Sequence, residues 1–295
     1  MTEAVLGIIG GSGVYDIPGL ENPRWLPIDS PWGQPSDAIL FAEYEGLKLR
    51  FLPRHGRGHR LAPNELNNRA NIDVLKRAGV TDLISISAVG SLRDDLSPGT
   101  FVLPDQYIDR THGRPSSFFG GGIVGHVGFA EPVSARLVSL VAEAAETADV
   151  PYSKGGTLVV IEGPQFSTRA ESEMYRQLRA DIVGMTAMPE AKLAREAELP
   201  YATVAMVTDY DAWHPHHDAV DVQAVVNTLH ANRERAQALV TTIARGFPRL
   251  IQDDPARTAL DYAFMTAPEA RASGALLRLD AVAGRVLGGA NGNGK

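Results

Sequence analysis

The chain opens with the stretch AVLGIIGGSG at residues 4–13, which is typical of a buried strand that ends in a glycine-rich turn. Similar apolar, β-branched runs recur along the chain and alternate with helical patterns. This alternation is the signature of a mostly parallel or mixed sheet that is covered by helices. We therefore predict an α/β protein with one central sheet.

Further strands are predicted from apolar runs at residues 47–53, 83–88, 157–161, 182–183 and 201–207. Helices are predicted at about residues 64–78, 133–148, 168–178, 189–198, 220–245 and 276–287. Asn64 as an N-cap, a capping box of Thr168 with Glu171, and Pro189 in a first turn mark three of their starts. No repeat or interior linker is found, so we predict one domain at residues 1–247, a C-terminal extension packed on it at 248–287, and a disordered tail at 288–295.

Composition narrows the classes of function. The formal net charge is -7, so the chain lacks the basic field that sequence-independent nucleic-acid binding requires. Cysteine is absent, which excludes disulfides, thiolate metal sites and cysteine nucleophiles. No apolar run approaches the ~20 residues of a membrane span, and the N-terminus has neither a basic region nor a cleavage site. We expect a soluble cytoplasmic protein with no nucleic-acid or membrane partner.

The glycine-rich turn GGSG at residues 10–13 suggests an anion site, because glycine lets backbone amides approach a ligand closely. A dinucleotide fingerprint would need glycine at Asp16, and the lysine of a P-loop is missing. A nucleophile elbow would need glycine at Val14. By itself the turn is explained equally well as an ordinary strand-to-loop connection.

Three other segments carry polar groups at the ends of predicted strands. Arg54 and His55 follow one strand and could complete an anion pocket, although such a pair is often only a solvated loop. Hydroxyl groups follow two more strands, at Ser87 and Thr186. Ligands of open α/β sheets bind outside strand ends, so we expect these segments and the glycine-rich turn to meet.

The segment TDYD at residues 208–211 places two carboxylates directly after a strand, which fits a metal site, a surface turn or the recognition of a base. His214, His216 and His217 lie nearby, but Pro215 interrupts them and no H-E-x-x-H spacing exists. We interpret the histidines as a polar loop and expect no metal.

Seven blocks of the sequence, taken together, resemble the ordered signatures of the methylthioadenosine phosphorylases, a family of trimeric purine nucleoside phosphorylases. They are GGSG (10–13), RHG (54–56), AVGSL (88–92), DQYIDRT (105–111), IEGPQFSTRAE (161–171), MTAMPE (185–190) and TDYD (208–211). The resemblance spans residues 7 to about 245 and is weaker after Pro248. It implies a single-domain phosphorylase fold, with a central mixed sheet flanked by helices, that cleaves 5'-methylthioadenosine with phosphate in purine and methionine salvage. Methylthioinosine or ordinary purine nucleosides are the alternative substrates.

The resemblance also assigns roles to residues. Phosphate, a co-substrate, would be held by Ser12, Arg54, His55, Ser87, the Ala88 backbone and Thr186, without any cofactor. The nucleoside would contact Phe166, Ser167, Met185, Asp209, Tyr210 and Asp211. Val222 and Val225 would form the methylthio pocket, although their i, i+3 spacing equally fits ordinary core. His126 would reach the active site of an adjacent subunit, which implies a homotrimer.

Chemistry supports a carboxylic acid at the base. Cleaving an N-glycosidic bond develops positive charge on the ribose and negative charge on the departing base. We therefore assign Asp209 as the acid that shares its proton with the purine, its pKa raised by the neighbouring carboxylate. The rival class of function is a purine- or NAD-binding module without catalysis, which would show no dependence on phosphate.

Overall fold

A computed structural model describes residues 2–11, 15–215 and 222–288 of the chain. In these residues one mixed sheet contains the strands β1 (Val5–Gly10), β2 (Glu21–Leu26), β3 (Ile39–Tyr44), β4 (Leu47–Pro53), β5 (Asp82–Ser91), β6 (Phe101–Leu103), β7 (Gln106–Arg110), β8 (Tyr152–Lys154), β9 (Thr157–Ile161), β10 (Ile182–Gly184) and β11 (Tyr201–Asp209). The helices are α1 (Asn68–Arg77), α2 (Ala135–Thr147), α3 (Arg169–Gln177), α4 (Ala187–Glu196), α5 (Val222–Gly246), α6 (Ser273–Arg278) and α7 (Asp280–Leu287). The predicted α/β class with a central mixed sheet is confirmed.

Helices cover both faces of the sheet because successive strand residues point to opposite sides. In β1, Leu6 and Ile8 belong to the buried cluster that includes α2 and α5, whereas Ile9 belongs to the cluster that includes α1, α4 and α7. Burying an aliphatic side chain of this size contributes about 1.5–3 kcal/mol. The two apolar layers therefore hold the central strands rigidly between them.

The sheet divides at β5. The first part of β5 pairs in parallel with β1, up to the pair Ile9 with Ser85. The last part pairs on the same edge with β10, which is antiparallel, beginning at Gly90 opposite Val183. The opposite edge of β5 is covered by the parallel strand β11. Residues 86–89 of β5 thus lie between two diverging strands, and we call this place the gap.

The C-terminal extension is tied to the domain by buried carboxylates and by backbone bonds. Arg257 pairs with Asp82 at 2.9 Å, and Arg285 pairs with Glu198. The segment that precedes α6 also pairs with a loop of the domain, since the His126 amide donates to the Ala263 carbonyl at 2.9 Å. The extension thereby fixes a loop more than 130 residues earlier in the chain, about half the chain length away.

Several boundaries differ from the predictions. The first helix begins at Asn68 rather than Asn64, because Pro63–Glu65 form a separate 3-10 turn and the Asn67 side chain caps the helix. The helix predicted at 276–287 is two helices, α6 and α7, that meet at Leu279. The predicted residue 220 of the long helix and the tail residues 289–295 lie outside the described residues.

No helix in the described part of the chain is long and apolar enough to cross a membrane.

Candidate active site

The gap is lined on one side by the ends of β1 and β4. These strands are parallel and end together, with Gly10 opposite Pro53, so that Gly11 and Arg54 leave the sheet next to each other. Ser12, the hydroxyl predicted for this turn, lies outside the described residues. The Arg54 amide donates to the Gly10 carbonyl at 2.9 Å, which joins the two turns.

The floor of the gap is β5 itself. Ser87 and Ala88 are half-buried, whereas every other residue of this strand is buried. The Ile86 carbonyl faces the gap, where it accepts a hydrogen bond from Arg54 Nη1 at 2.9 Å. Since alternate residues of a strand direct their backbone groups to the same edge, the Ala88 N–H faces the gap as well. A central strand thus offers backbone and hydroxyl donors to a ligand.

The other side of the gap is formed by the residues that follow β10. The pairing of β10 with β5 ends at Val183 opposite Gly90, and a Cβ on Gly184 would lie 3.9 Å from the Ala88 carbonyl, so Met185 and Thr186 leave the sheet next to this part of β5. Thr186 occupies the N-cap position of α4, yet its side chain makes no capping hydrogen bond. The structure therefore brings together the predicted segments at Arg54, Ser87 and Thr186.

Arg54 lies beneath the gap, and its guanidinium is only 1% exposed. Nε and Nη2 form a bidentate ion pair with Glu190 at 2.9 and 3.1 Å, and Tyr201 also donates to that carboxylate at 2.8 Å. The Arg54 guanidinium, which we expected to bind an anion, is therefore already paired with Glu190, and the Glu190 carboxylate balances its positive charge. A phosphate contact by Arg54 stays a prediction, and removing either partner of such a buried pair costs about 3–5 kcal/mol.

His55 is held as a neutral ring. Its Nδ1 lies 2.9 Å from the Leu61 carbonyl, so Nδ1 carries the hydrogen and donates it. Burial, followed by the charge of Arg54, lowers the pKa of His55 to about 4. The ring also stacks on His59, with centroids 4.4 Å apart. Nε2, the other ring nitrogen, is left with a lone pair.

The carboxylate pair is positioned by an irregularity at the end of β11. The pairing of β11 with β5 shifts between Val207 and Asp209, which places Asp209 opposite Gly90. Bulges of this kind re-aim side chains beside functional sites. Asp209 Oδ1 accepts the Asp211 amide at 2.8 Å, and Oδ2 accepts the Thr208 hydroxyl at 2.7 Å.

Both carboxyl groups are poised toward protonation. Burial is the largest cause that raises the pKa of Asp209, against the Thr208 hydroxyl bond, and the Asp211 charge adds a smaller increase. Burial likewise raises the pKa of Asp211, which the nearby hydroxyls of Ser172 and Ser167 partly oppose. Desolvation rather than repulsion between the carboxylates is thus the main cause. Asp211 Oδ2 is buried, and the Ser172 and Ser167 hydroxyls beside it do not reach normal hydrogen-bond geometry within the described residues.

The segment after β9 approaches the gap from above β10. Gly163 has a φ of 67°, and a Cβ atom there would lie 2.5 Å from the Met185 sulfur, so the two segments touch. Phe166, further along, is 41% exposed. Ser167 lies beside Asp211. This segment therefore carries an exposed aromatic ring beyond its contact with the Met185 thioether.

Other predicted residues are not joined to this cluster by contacts among the described residues. His126 is exposed beside a separate cleft of about 470 Å³ that Glu196 and Phe129 also line. Val222 is 68% exposed and Val225 is half-buried. The roles of His126, Val222 and Val225 stay predictions.

The polar loop after Asp211 is described only in part. Tyr210 and His214 stack with ring centroids 4.7 Å apart, and His214 pairs with Asp94 at 3.2 Å. His216 and His217 lie outside the described residues. Among residues 2–11, 15–215 and 222–288, no group of three or more histidine, aspartate or glutamate side chains is placed to hold a metal ion.

Sequence reasoning missed three residues that shape the site. Glu190 occurs in the block MTAMPE, but no pattern indicates its pairing with Arg54. Gly90 leaves the space that Asp209 fills, since a Cβ there would lie 2.8 Å from Asp209 Oδ1. Arg114 contacts segments on two sides of the site. Its only signal in the sequence is its position among the few residues that follow β7.

A central strand exposed between diverging neighbours, with hydroxyl donors and a desolvated carboxyl pair, is typical of an α/β enzyme whose ligand site lies where the sheet divides. Comparison with known proteins agrees. The family model described as "Phosphorylase superfamily" matches residues 5–245. The S-methyl-5'-thioadenosine phosphorylase of Bradyrhizobium diazoefficiens is 59% identical over 98% of this chain and 100% of its own length. That of Rhodospirillum rubrum is 56% identical over 97% and 98%.

Solved structures give the same result. A methylthioadenosine phosphorylase from an antarctic soil metagenomic library superposes with a TM-score of 0.90, at 46% identity, over 96% of this chain and 99% of that one. A mutant of the adenosine/methylthioadenosine phosphorylase of Schistosoma mansoni, in complex with methylthioadenosine, gives a TM-score of 0.75 at 34% identity over 82% and 91%. The chain belongs to the phosphorylase superfamily and, within it, to the S-methyl-5'-thioadenosine phosphorylase family.

Proposed function

We propose that the protein catalyses the reversible phosphorolysis of 5'-methylthioadenosine to adenine and 5-methylthioribose 1-phosphate. Inorganic phosphate is the co-substrate and no cofactor takes part. The observation that carries this proposal is the pair of carboxyls at the end of the strand that flanks the gap, the half-buried Asp209 and the buried Asp211. The family membership and the names of the similar proteins support it.

In this reaction phosphate occupies the gap, where Ser87, the Ala88 amide and Thr186 supply donors. The anion stabilises the positive charge that develops on the ribose and then bonds to its C1' carbon as the base departs. The purine leaves with a proton at N7, which Asp209 shares with it. The raised pKa of Asp209 suits this role because its protonated form is populated closer to neutral pH.

Adenine is preferred over hypoxanthine because of hydrogen-bond polarity. Asp211 Oδ2 is a buried acceptor without a hydrogen bond of normal geometry in the described part of the chain, and the 6-amino group of adenine is a donor. When Asp211 is ionised it can only accept, so a 6-oxo group would place two acceptors together, which costs affinity. Similar Schistosoma mansoni proteins have been solved with adenine and with methylthioadenosine. Methylthioinosine or ordinary purine nucleosides are the alternative substrates.

We place the enzyme in the cytoplasm as a homotrimer that takes part in methionine and purine salvage. Exposed apolar side chains near His126 support self-association. Val124 and Met265 are both exposed and are joined by a backbone hydrogen bond, and Tyr262, in the same segment as Met265, is 99% exposed. In the trimer His126 would complete the site of the neighbouring subunit.

The test measures adenine release from 5'-methylthioadenosine with and without phosphate, alongside methylthioinosine, adenosine and inosine. We expect release that depends on phosphate and favours methylthioadenosine. Asp209→Asn should lose at least ~100-fold in kcat/KM on adenine nucleosides, in the range of general acid catalysis, and should gain relative activity on inosine. Asp253→Asn, at an exposed carboxylate, is the matched control and should match the unmodified enzyme.

Each other outcome contradicts a specific step. Release without phosphate would mean hydrolysis, and a preference for inosine substrates would overturn the role of the carboxyl pair in specificity. Unchanged kinetics of Asp209→Asn on both kinds of nucleoside would remove Asp209 as the acid.

A further inference from the structure

Arg114, in the loop after β7, is a buried side chain whose hydrogen bonds run to two segments of the site. Its guanidinium is 4% exposed. Nη1 donates to the carbonyls of Met185 and Met188, each at 2.8 Å. Nε donates to the Glu162 carboxylate at 3.0 Å, and Nη2 donates to the Glu162 carbonyl.

The two segments that Arg114 joins contact different parts of the proposed substrates. The first runs from Glu162 to Ser167 and includes Phe166, on the base side. The second runs from Met185 to Met188 and includes Thr186, on the phosphate side. They are in contact, since a Cβ on Gly163 would lie 2.5 Å from the Met185 sulfur, so a small change in their separation would move both.

We propose that Arg114 is a positioning residue that sets the separation between the base-binding segment and the segment of Met185 and Thr186. The inference rests on the proposed function. Only a planar guanidinium can satisfy acceptors on both sides at once, because its five N–H donors have fixed directions. A lysine ammonium would bond to one segment and release the other.

The acceptors of Arg114 distinguish it from an arginine that only stabilises the fold. Arg249 also bridges carbonyls of two segments, at Ala244 and Phe247 near the end of α5 and at Glu45 in the turn between β3 and β4. None of those carbonyls belongs to the segments around the gap. Arg249 is exposed, unlike Arg114, and is a control for the loss of carbonyl hydrogen bonds between two segments outside the gap.

The test compares Arg114→Lys with Arg249→Lys in the full-length enzyme. Melting temperature, kcat, and KM for methylthioadenosine and for phosphate are measured for each. We expect both variants to lose thermal stability. Arg114→Lys should raise the KM for methylthioadenosine by about tenfold or more and lower kcat, as a displacement of about 1 Å at a reacting centre does. Arg249→Lys should leave both KM values unchanged.

A loss of folded enzyme alone would lower kcat per milligram and leave every KM unchanged, and this result for Arg114→Lys would overturn the inference. If Arg114→Lys does not fold, Glu162→Gln takes its place. That variant keeps the carbonyl contacts of Arg114 but weakens the bond to Nε, so a smaller rise in the same KM is expected and its absence would overturn the inference. Failure of the proposed function is separate, because it would be seen in the unmodified enzyme, as no release of adenine, release without phosphate or a preference for inosine substrates.

Discussion

Burial moves three titratable groups around the gap toward their neutral forms. The pKa of His55 is lowered, and the pKa values of Asp209 and Asp211 are raised, in each case chiefly by desolvation. Arg54 keeps its charge but is balanced by Glu190. The described lining of the gap therefore presents dipoles and hydroxyls rather than a strong positive field. This fits a protein whose formal net charge is -7.

His55 should remain neutral well below pH 6.5 in the absence of phosphate. Its folded-state pKa of about 4 lies below the ordinary 6.5, so the unfolded chain binds the extra proton more readily. The free energy of unfolding should therefore fall as the pH decreases from about 6.5 to about 4, and this contribution is fully present above that range. Nitrogen NMR of the imidazole, with a pH titration of unfolding, measures both effects.

His55→Asn is the control, because the amide can still donate to the Leu61 carbonyl but does not titrate. The variant should lose part of the pH dependence of unfolding between pH 4 and 6.5. A His55 signal that titrates near 6.5 would contradict the prediction.

At the scale of elements, the position of Asp209 depends on how closely the end of β11 approaches the end of β5. Gly90 allows this close approach, because Asp209 occupies the space that a side chain at position 90 would fill. Its φ lies outside the left-handed region, so a substitution there acts through steric contact alone.

Gly90→Ala should therefore damage catalysis more than folding. The new Cβ would lie 2.8 Å from Asp209 Oδ1 and 3.2 Å from Asp211 Cβ, which displaces the carboxyl pair. We expect kcat/KM on methylthioadenosine to fall at least ~10-fold, with a loss of about 1–3 kcal/mol in stability. Gly284→Ala on α7 meets open space and should leave the kinetics unchanged. Wild-type kinetics in Gly90→Ala would show that the close approach has no catalytic role.

Sequence patterns predicted most of the central strands, but they missed β3, which lies between β2 and β4, and they predicted the edges poorly. The strands at 47–53 and 157–161 have the predicted bounds, since continuous apolar runs mark buried strands. β2 was missed because it is an edge strand with mostly exposed, polar residues. The short strands β6 and β8 depend on pairing with each other and with β11, which no local pattern encodes.

The sequence predicted which segments at strand ends form the candidate site. It did not predict the side-chain pairs that join segments distant in the chain. The meeting of the segments at Arg54, Ser87 and Thr186 follows from the rule for open sheets. The pairing of Arg54 with Glu190 spans 136 positions, and its geometry arises only from the packing of α4 on the sheet. The antiparallel direction of β10 was also not foreseen, although it directs Met185 and Thr186 toward the gap.

At the scale of the whole molecule, the proposed trimer predicts that two defective variants can restore each other. His126→Ala lacks the residue supplied to a neighbour, and Asp209→Asn lacks the acid of its own site. Co-expressed as mixed trimers in equal amounts, they should regain about a quarter of wild-type activity, because about one site in four combines an intact Asp209 with an intact neighbouring His126.

The control mixes Asp209→Asn with Asp211→Asn, whose defects lie in the same subunit, and no recovery is expected. If His126→Ala alone kept full activity, or if its mixture recovered nothing, the shared site would be ruled out.

The attachment of the C-terminal extension has a consequence for the order in which the protein is completed on the ribosome. Every described strand and the whole carboxyl pair are synthesised before residue 248. The partners of Thr2 and Ala4, Ile251 and Arg249, and the partner of the His126 amide, Ala263, come after the last strand in the chain. A nascent chain can thus form the strands around its gap before the residues next to β1 and the loop of His126 acquire these backbone partners.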